Sequence, residues 1–161
     1  DRAGSRYYDV LENTQSIETA NAWSGAIQPG FGSNVKAVVI NPFVKFYGLE
    51  MFGNLETVTG KGGTEPANRT FHQWVGEALY RFGPAEQLYV GGRYNKVNGY
   101  LKGITNEVSV DRTQFGGGWF VTPSIEAKLE YVNQKYNNFP LLDIRSGGKF
   151  HGLMIEGVVG F

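Results

Sequence analysis

The sequence has no cysteine, only two methionines, no net charge and no long apolar run. Without cysteine there is no disulfide support, so stability must come from sheet hydrogen bonding and packing. With 15 basic and 15 acidic side chains, nothing indicates the basic patch or stripe that a nucleic-acid partner requires. No segment approaches the roughly 18 consecutive apolar residues of a membrane helix. Mean hydropathy is negative, which excludes less than it first suggests. Strands that alternate apolar and polar residues average low even when one face lies in lipid. No Gly-x-Ser-x-Gly or His-Glu-x-x-His occurs, and no i, i+3, i+4, i+7 stripe marks a helix.

What the chain does have is glycine, 23 residues, and aromatics, with 3 Trp, 9 Tyr and 11 Phe. That composition suits an all-β protein. Six prolines (Pro29, Pro42, Pro66, Pro84, Pro123, Pro140) fall between β-like runs, as paired strands demand. Short connections at Asn41-Pro42, Gly83-Pro84-Ala85 and Thr122-Pro123 alternate with long polar ones at 13–30, 60–68, 98–106 and 137–147. Between them the sequence predicts eight strands, near 5–12, 31–40, 43–58, 69–82, 86–97, 107–121, 124–136 and 148–161. Several reach the 9–11 residues needed to cross a bilayer at a tilt.

Period-2 alternation sorts the side chains into two rows. One row is apolar: Leu49, Met51, Trp74, Tyr80, Phe82, Tyr94, Trp119, Leu129, Tyr131, Ile155 and Phe161. The other carries Glu50, Asn54, Glu56, Glu77, Arg81, Arg93, Asn95, Glu126, Lys128, Glu130 and Glu156. Lys45, Lys96 and Lys135 fall in the apolar row near strand ends. A soluble, lipocalin-like barrel would bury the apolar row and solvate the polar one. Two features favour the inverse. Aromatics in the apolar row gather near both strand ends, Trp74 and Tyr94 at one rim and Phe82 and Phe161 at the other, as in a membrane girdle. The polar row also contains Gly48, Gly91, Gly116, Gly118 and Gly152, an odd choice for exposed strand positions. The expected fold is therefore a transmembrane antiparallel up-and-down β-barrel, a single domain over 1–161.

The last residues, Gly152 to Phe161, carry Leu153, Ile155, Val159 and Phe161 at alternate positions, with Gly157 as a small exception. This stretch resembles the terminal strand signal of Gram-negative outer-membrane proteins. The resemblance implies an outer-membrane location, contact with lipid and lipopolysaccharide, and recognition of these four residues by the barrel-assembly machinery. More loosely, Arg69 to Phe161 looks like the C-terminal part of porin-like proteins of the Bacteroidota. The segments concerned are Tyr80-Arg81-Phe82, Gly91 to Asn95, Gly116 to Phe120 and Glu130 to Gln134. That likeness implies more than eight strands in the full protein, with Asp1 as a truncation point. It also admits a homo-oligomer or association with other outer-membrane proteins.

Candidate chemistry is sparse. His72 shares a row with Trp74, and His151 with Leu153, so both point away from the polar row where a catalytic set would converge. Thr59-Gly60-Lys61-Gly62-Gly63-Thr64 lacks phosphate-loop spacing and reads as a surface loop; Asn68-Arg69-Thr70 is a sequon with little weight here. No cofactor, metal or enzymatic activity is expected. The mixed charges of the polar row fit either an aqueous pore wall of mild ion preference or a closed, salt-bridged interior. The corresponding functions are passage of small hydrophilic solutes, and a non-conducting barrel whose loops, around Trp23 and Phe139, bind partners. An outer-membrane enzyme is the third and weakest reading.

Overall fold

In a computed structural model of the chain, the described residues are Ala3–Gly4 and 26–160. The strand expected at 5–12 and the girdle and signal residue Phe161 lie outside them. Two short strands, β1 (Ala3–Gly4) and β2 (Ala26–Ile27), pair with each other. The remainder is all-β: β3 (Ser33–Ile40), β4 (Phe43–Phe46), β5 (Leu49–Lys61), β6 (Arg69–Phe82), β7 (Leu88–Gly99), β8 (Val108–Thr122), β9 (Ile125–Asn137) and β10 (Lys149–Val159). These eight form one antiparallel up-and-down sheet in the order β10-β9-β8-β7-β6-β5-β3, with β4 also on β5.

The eight strands are not the eight expected, and the sheet is not closed into a barrel. β3 and β4 flank the same side of β5, facing its Leu55–Lys61 and Leu49–Phe52 portions respectively. They are two halves of one edge strand interrupted at Asn41-Pro42. Proline lacks the N–H that a ladder needs, but its carbonyl still accepts from the Gly53 N–H at 2.9 Å. The sheet is thus seven positions wide. Asn41-Pro42 is an interruption, not a turn. The turn lies at Tyr47-Gly48, and it divides the expected strand 43–58. Tyr47 takes φ 48°, in the left-handed region. Gly48 has no room for a side chain, since a Cβ there would lie 2.3 Å from the Arg81 carbonyl oxygen. With the turn moved, Lys45 changes faces: it lies beside Glu50, its partner in the register, instead of in the apolar row.

With that correction, turns at 47–48, 83–87 and 123–124 mark one end of the sheet. Longer connections at 62–68, 100–107 and 138–148 mark the other. Strands also extend further toward the loop end than expected, β5 to Lys61 and β7 to Gly99. Thr59-Gly60-Lys61 is therefore strand, not loop. Six antiparallel steps separate β3/β4 from β10, so the two edges of the sheet run in the same direction.

The two faces differ sharply. Among the described residues, twenty-nine large hydrophobic side chains are exposed and nine are buried. The buried nine include Phe71, Val75, Val97, Val108, Val110, Val132 and Tyr136, all on one face. Ile27 packs onto the loop end of that face, with Phe31, Leu101, Ile104, Phe139 and Ile144 around it.

Candidate functional site

Residues directly opposite in a ladder share a face, so the pairing register arranges the buried face in cross-sheet rows. Nearest the turn end, Arg81, Tyr89, Gly118, Lys128 and Glu156 form one row. The next contains Glu50, Leu79, Gly91, Gly116, Glu130 and Met154. The third includes Glu77, Arg93 and Gln114, and the fourth Asn54, Asn95, Arg112 and Gln134. Glu56 follows, opposite Gln73, and Glu126 lies beyond the first row, opposite Phe120. Every residue of the sequence-predicted polar row is on this face.

Most of the charges there are paired. Glu50 receives both Lys45 at 2.9 Å and Arg81 at 3.1 Å. Arg93 approaches Glu77 at 3.3 Å, and Lys128 reaches Glu130 at 2.8 Å with Glu156 at 4.0 Å. Tyr89 donates its hydroxyl to Glu126, and Gln114 donates to Glu130. Arg81 also lies 5.6 Å from the ring centres of both Tyr89 and Phe120. The Tyr89 ring covers Gly118, where a Cβ would meet it at 2.5 Å. Glycine here leaves space for the ring to lie flat on the backbone. Around Gly91 and Gly116, directly paired and without side chains, the belt forms an open hollow of 340 Å³. The acceptor oxygens of Asn54, Asn95 and Gln134, all in the fourth row, have no partner among the described residues.

Toward the loop end this polar belt gives way to the apolar cluster around Ile27. The sequence reading did not include it. Its members Val97, Val110 and Tyr136 occupy positions of polar-row parity, and that breach of pattern was the available signal. A second group it missed is Arg69. Its guanidinium binds Glu65 through Nε at 2.7 Å and Nη2 at 2.8 Å, and donates to the carbonyls of Tyr100 and Pro29, each at 2.8 Å. It also sits 5.0 Å from the Phe31 ring centre. One side chain therefore ties the 62–68 and 100–107 connections to the Pro29–Phe31 segment. The Arg69 guanidinium, and then the Gly62 N–H, hold the Glu65 carboxyl down at about 2. At 138–148 the Arg145 guanidinium lowers the Asp143 carboxyl in the same way.

The opposite face carries Leu49, Met51, Trp74, Tyr80, Phe82, Tyr94, Trp119, Leu129, Tyr131, Leu153, Ile155 and Val159, each at least 37% exposed. His72 lies on this face with its Nδ1 3.0 Å from the Thr57 hydroxyl, and His151 is exposed four strands away. The two do not converge. Among the described residues no group of three His, Asp or Glu is arranged to hold a metal. No family model, curated protein or solved structure matches the chain.

Proposed function

We propose that the chain forms part of the wall of an outer-membrane β-barrel, exposed face in lipid and polar belt toward an aqueous lumen, through which small hydrophilic solutes or ions pass. The observation that carries this reading is the inside-out distribution of side chains. An apolar band spans β5 to β10 with Leu129, Phe115 and Trp119 at 50% exposure or more, while the mid-strand charges from Glu50 to Glu156 share the other face. A continuous apolar surface of that extent is far beyond what a soluble monomer presents. Lipid supplies the missing partner, and closed barrels are the only sheets that cross it. The unpartnered amide oxygens of the fourth row find hydrogen bonds in a hydrated interior.

Closure follows from strand direction. Joining β10 to β3/β4 directly would make one parallel seam in an otherwise antiparallel sheet. An odd number of additional strands restores antiparallel pairing throughout and gives an even total. One added strand gives a narrow eight-membered barrel whose interior only side chains can fill. That second, non-conducting reading is favoured by one observation: the apolar cluster around Ile27, which is fully buried, packs over the loop end of the polar face.

Single-channel recording of the purified full-length protein in planar bilayers separates the two. Reproducible open steps whose conductance scales with salt are expected. Persistent silence from protein shown to be folded and inserted refutes solute passage and leaves the closed barrel, acting through its loops.

A further inference from the structure

The exposed face changes character in steps along β7 to β10. Val90, Gly117, Leu129 and Ile155 form one cross-sheet row, and Phe115, Tyr131 and Leu153 lie in the next toward the loops. Then comes a hydrogen-bonding row of Tyr94, Thr113, Asn133 and His151, followed by Lys96, Asp111, Lys135 and Lys149. Successive rows are two residues apart, about 7 Å along a strand. The wall therefore presents, in order, a surface for acyl chains, a row of hydrogen-bonding groups, and a cationic row.

That last row holds three lysines and one aspartate in a chain of zero net charge. Asp111 is already engaged by the Tyr94 hydroxyl at 2.7 Å and the Asn137 amide at 2.6 Å, with Lys96 more distant at 3.9 Å. Lys135 stands directly opposite Lys149. Both are exposed, and no ion pair joins either to an acid among the described residues. Like charges directly opposite in a ladder repel, and an anion between them reverses the sign of that interaction. At the turn end the same face carries Phe82, Leu88, Trp119, Ile125 and Val159, with no lysine or arginine among the described residues. The two boundaries of the apolar band are thus chemically distinct, and only one is cationic.

We propose that Lys135 and Lys149 bind the phosphate of an anionic lipid headgroup. The acyl chains of that lipid lie along Tyr131 and Leu153, and its polar linkage faces Asn133 and His151. This site rests on the reading that the exposed face is in lipid. Each lysine near an anionic lipid contributes about fivefold in affinity.

Replacing Tyr131 by tryptophan gives a reporter, because Tyr131 is exposed and pairs with Leu153 in the row that the acyl chains cover. The full-length protein carrying Tyr131→Trp, with Trp23, Trp74 and Trp119 replaced by Phe, is reconstituted in phosphatidylcholine vesicles. Part of the lipid is either phosphatidic acid or phosphatidylcholine brominated high on its acyl chains. Quenching of the introduced tryptophan should be stronger by brominated phosphatidic acid, and adding the double variant Lys135→Gln/Lys149→Gln should abolish that preference while keeping the quenching by brominated phosphatidylcholine. An excess of inorganic phosphate should leave the preference in place. Equal quenching by both lipids, or a preference unchanged in the double variant, overturns the site but leaves the lipid-facing wall intact. Displacement by inorganic phosphate overturns its assignment to a lipid. Absence of quenching by any lipid overturns the membrane reading beneath it.

Discussion

The orientation of the sheet can be tested at Leu129, which sits on the exposed face between Gly117 on β8 and Ile155 on β10. Its side chain is 52% exposed in the isolated sheet, so replacing it by arginine creates little steric conflict, and the cost depends on the surrounding medium. If this face meets lipid near the bilayer midplane, Leu129→Arg should destabilise by roughly 2–4 kcal/mol. That shifts the folded-to-unfolded ratio by about 30- to 900-fold. If it meets water, a surface substitution of this kind stays within about 0.5 kcal/mol. The internal control is Val158→Arg. Val158 is on the opposite face, 44% exposed and directly opposite Glu126, so an arginine there gains a carboxylate neighbour at the aqueous belt and should be nearly neutral. Both variants are measured by denaturant unfolding of vesicle-inserted protein, followed by tryptophan fluorescence. A cost at Leu129 below about 0.5 kcal/mol, or equal costs at both positions, would refute the assignment of faces.

Three further outcomes follow from local geometry. Tyr47→Asn should stabilise by about 1 kcal/mol, because Tyr47 holds φ 48° and asparagine tolerates the left-handed region far better; an unchanged unfolding midpoint counts against strain at this turn. Glu65 is depressed from 4.5 to about 2, so its contribution to rim stability is full above pH 4.5 and is lost as pH falls toward 2. Protection factors of the 62–68 amides, corrected for the intrinsic pH dependence of exchange, should fall over that interval in the native protein, and Arg69→Gln should abolish that fall. Phe161→Ser should lower the amount of assembled protein in cells, measured by surface labelling, and normal surface levels would show that the terminal aromatic is not read as a signal.

The strands were legible where one face is apolar and the other polar, because only there does period 2 leave a trace. Ile125 to Tyr131 on β9 alternates without a break, Trp74 to Phe82 on β6 does so apart from Val75 and Leu79, and their neighbours follow the same phase. Nearer the loop end the exposed face itself turns polar, with Thr57, Thr59, Asn98 and Ser109. Alternation fades while the hydrogen-bond ladder continues, so strand ends were drawn short. The misplaced turn has a different cause. Asn41-Pro42 is a strong breaker and Tyr47-Gly48 a weak turn signature, lacking the Asn or Asp usual at a positive-φ position. Sequence reasoning chose the stronger signal, and Lys45 was assigned to the wrong face as a consequence. The Arg69 cluster was invisible for a third reason: its partners at Pro29, Glu65 and Tyr100 are brought together only by the fold.

These differences bear on how a barrel of the proposed kind would close. With β3 and β4 joined into one interrupted edge, seven strand positions remain, and both edges run from the loop end to the turn end. Each edge exposes apolar side chains, Val38 and Phe43 on one and Leu153 and Ile155 on the other, all at 60% or more. Long apolar edges left unpaired are aggregation sites, and closed barrels abolish them. Direct closure would force the parallel pairing that occurs nowhere else in the sheet. A single inserted strand makes all pairings antiparallel but leaves the Arg81–Glu50 and Lys128–Glu130 pairs in an interior with no room for a continuous water column. Three or more inserted strands widen the lumen until those pairs line a hydrated wall. On the proposed reading, the number of strands between the edges therefore decides whether the charged belt would conduct or plug, while its composition is the same in both cases.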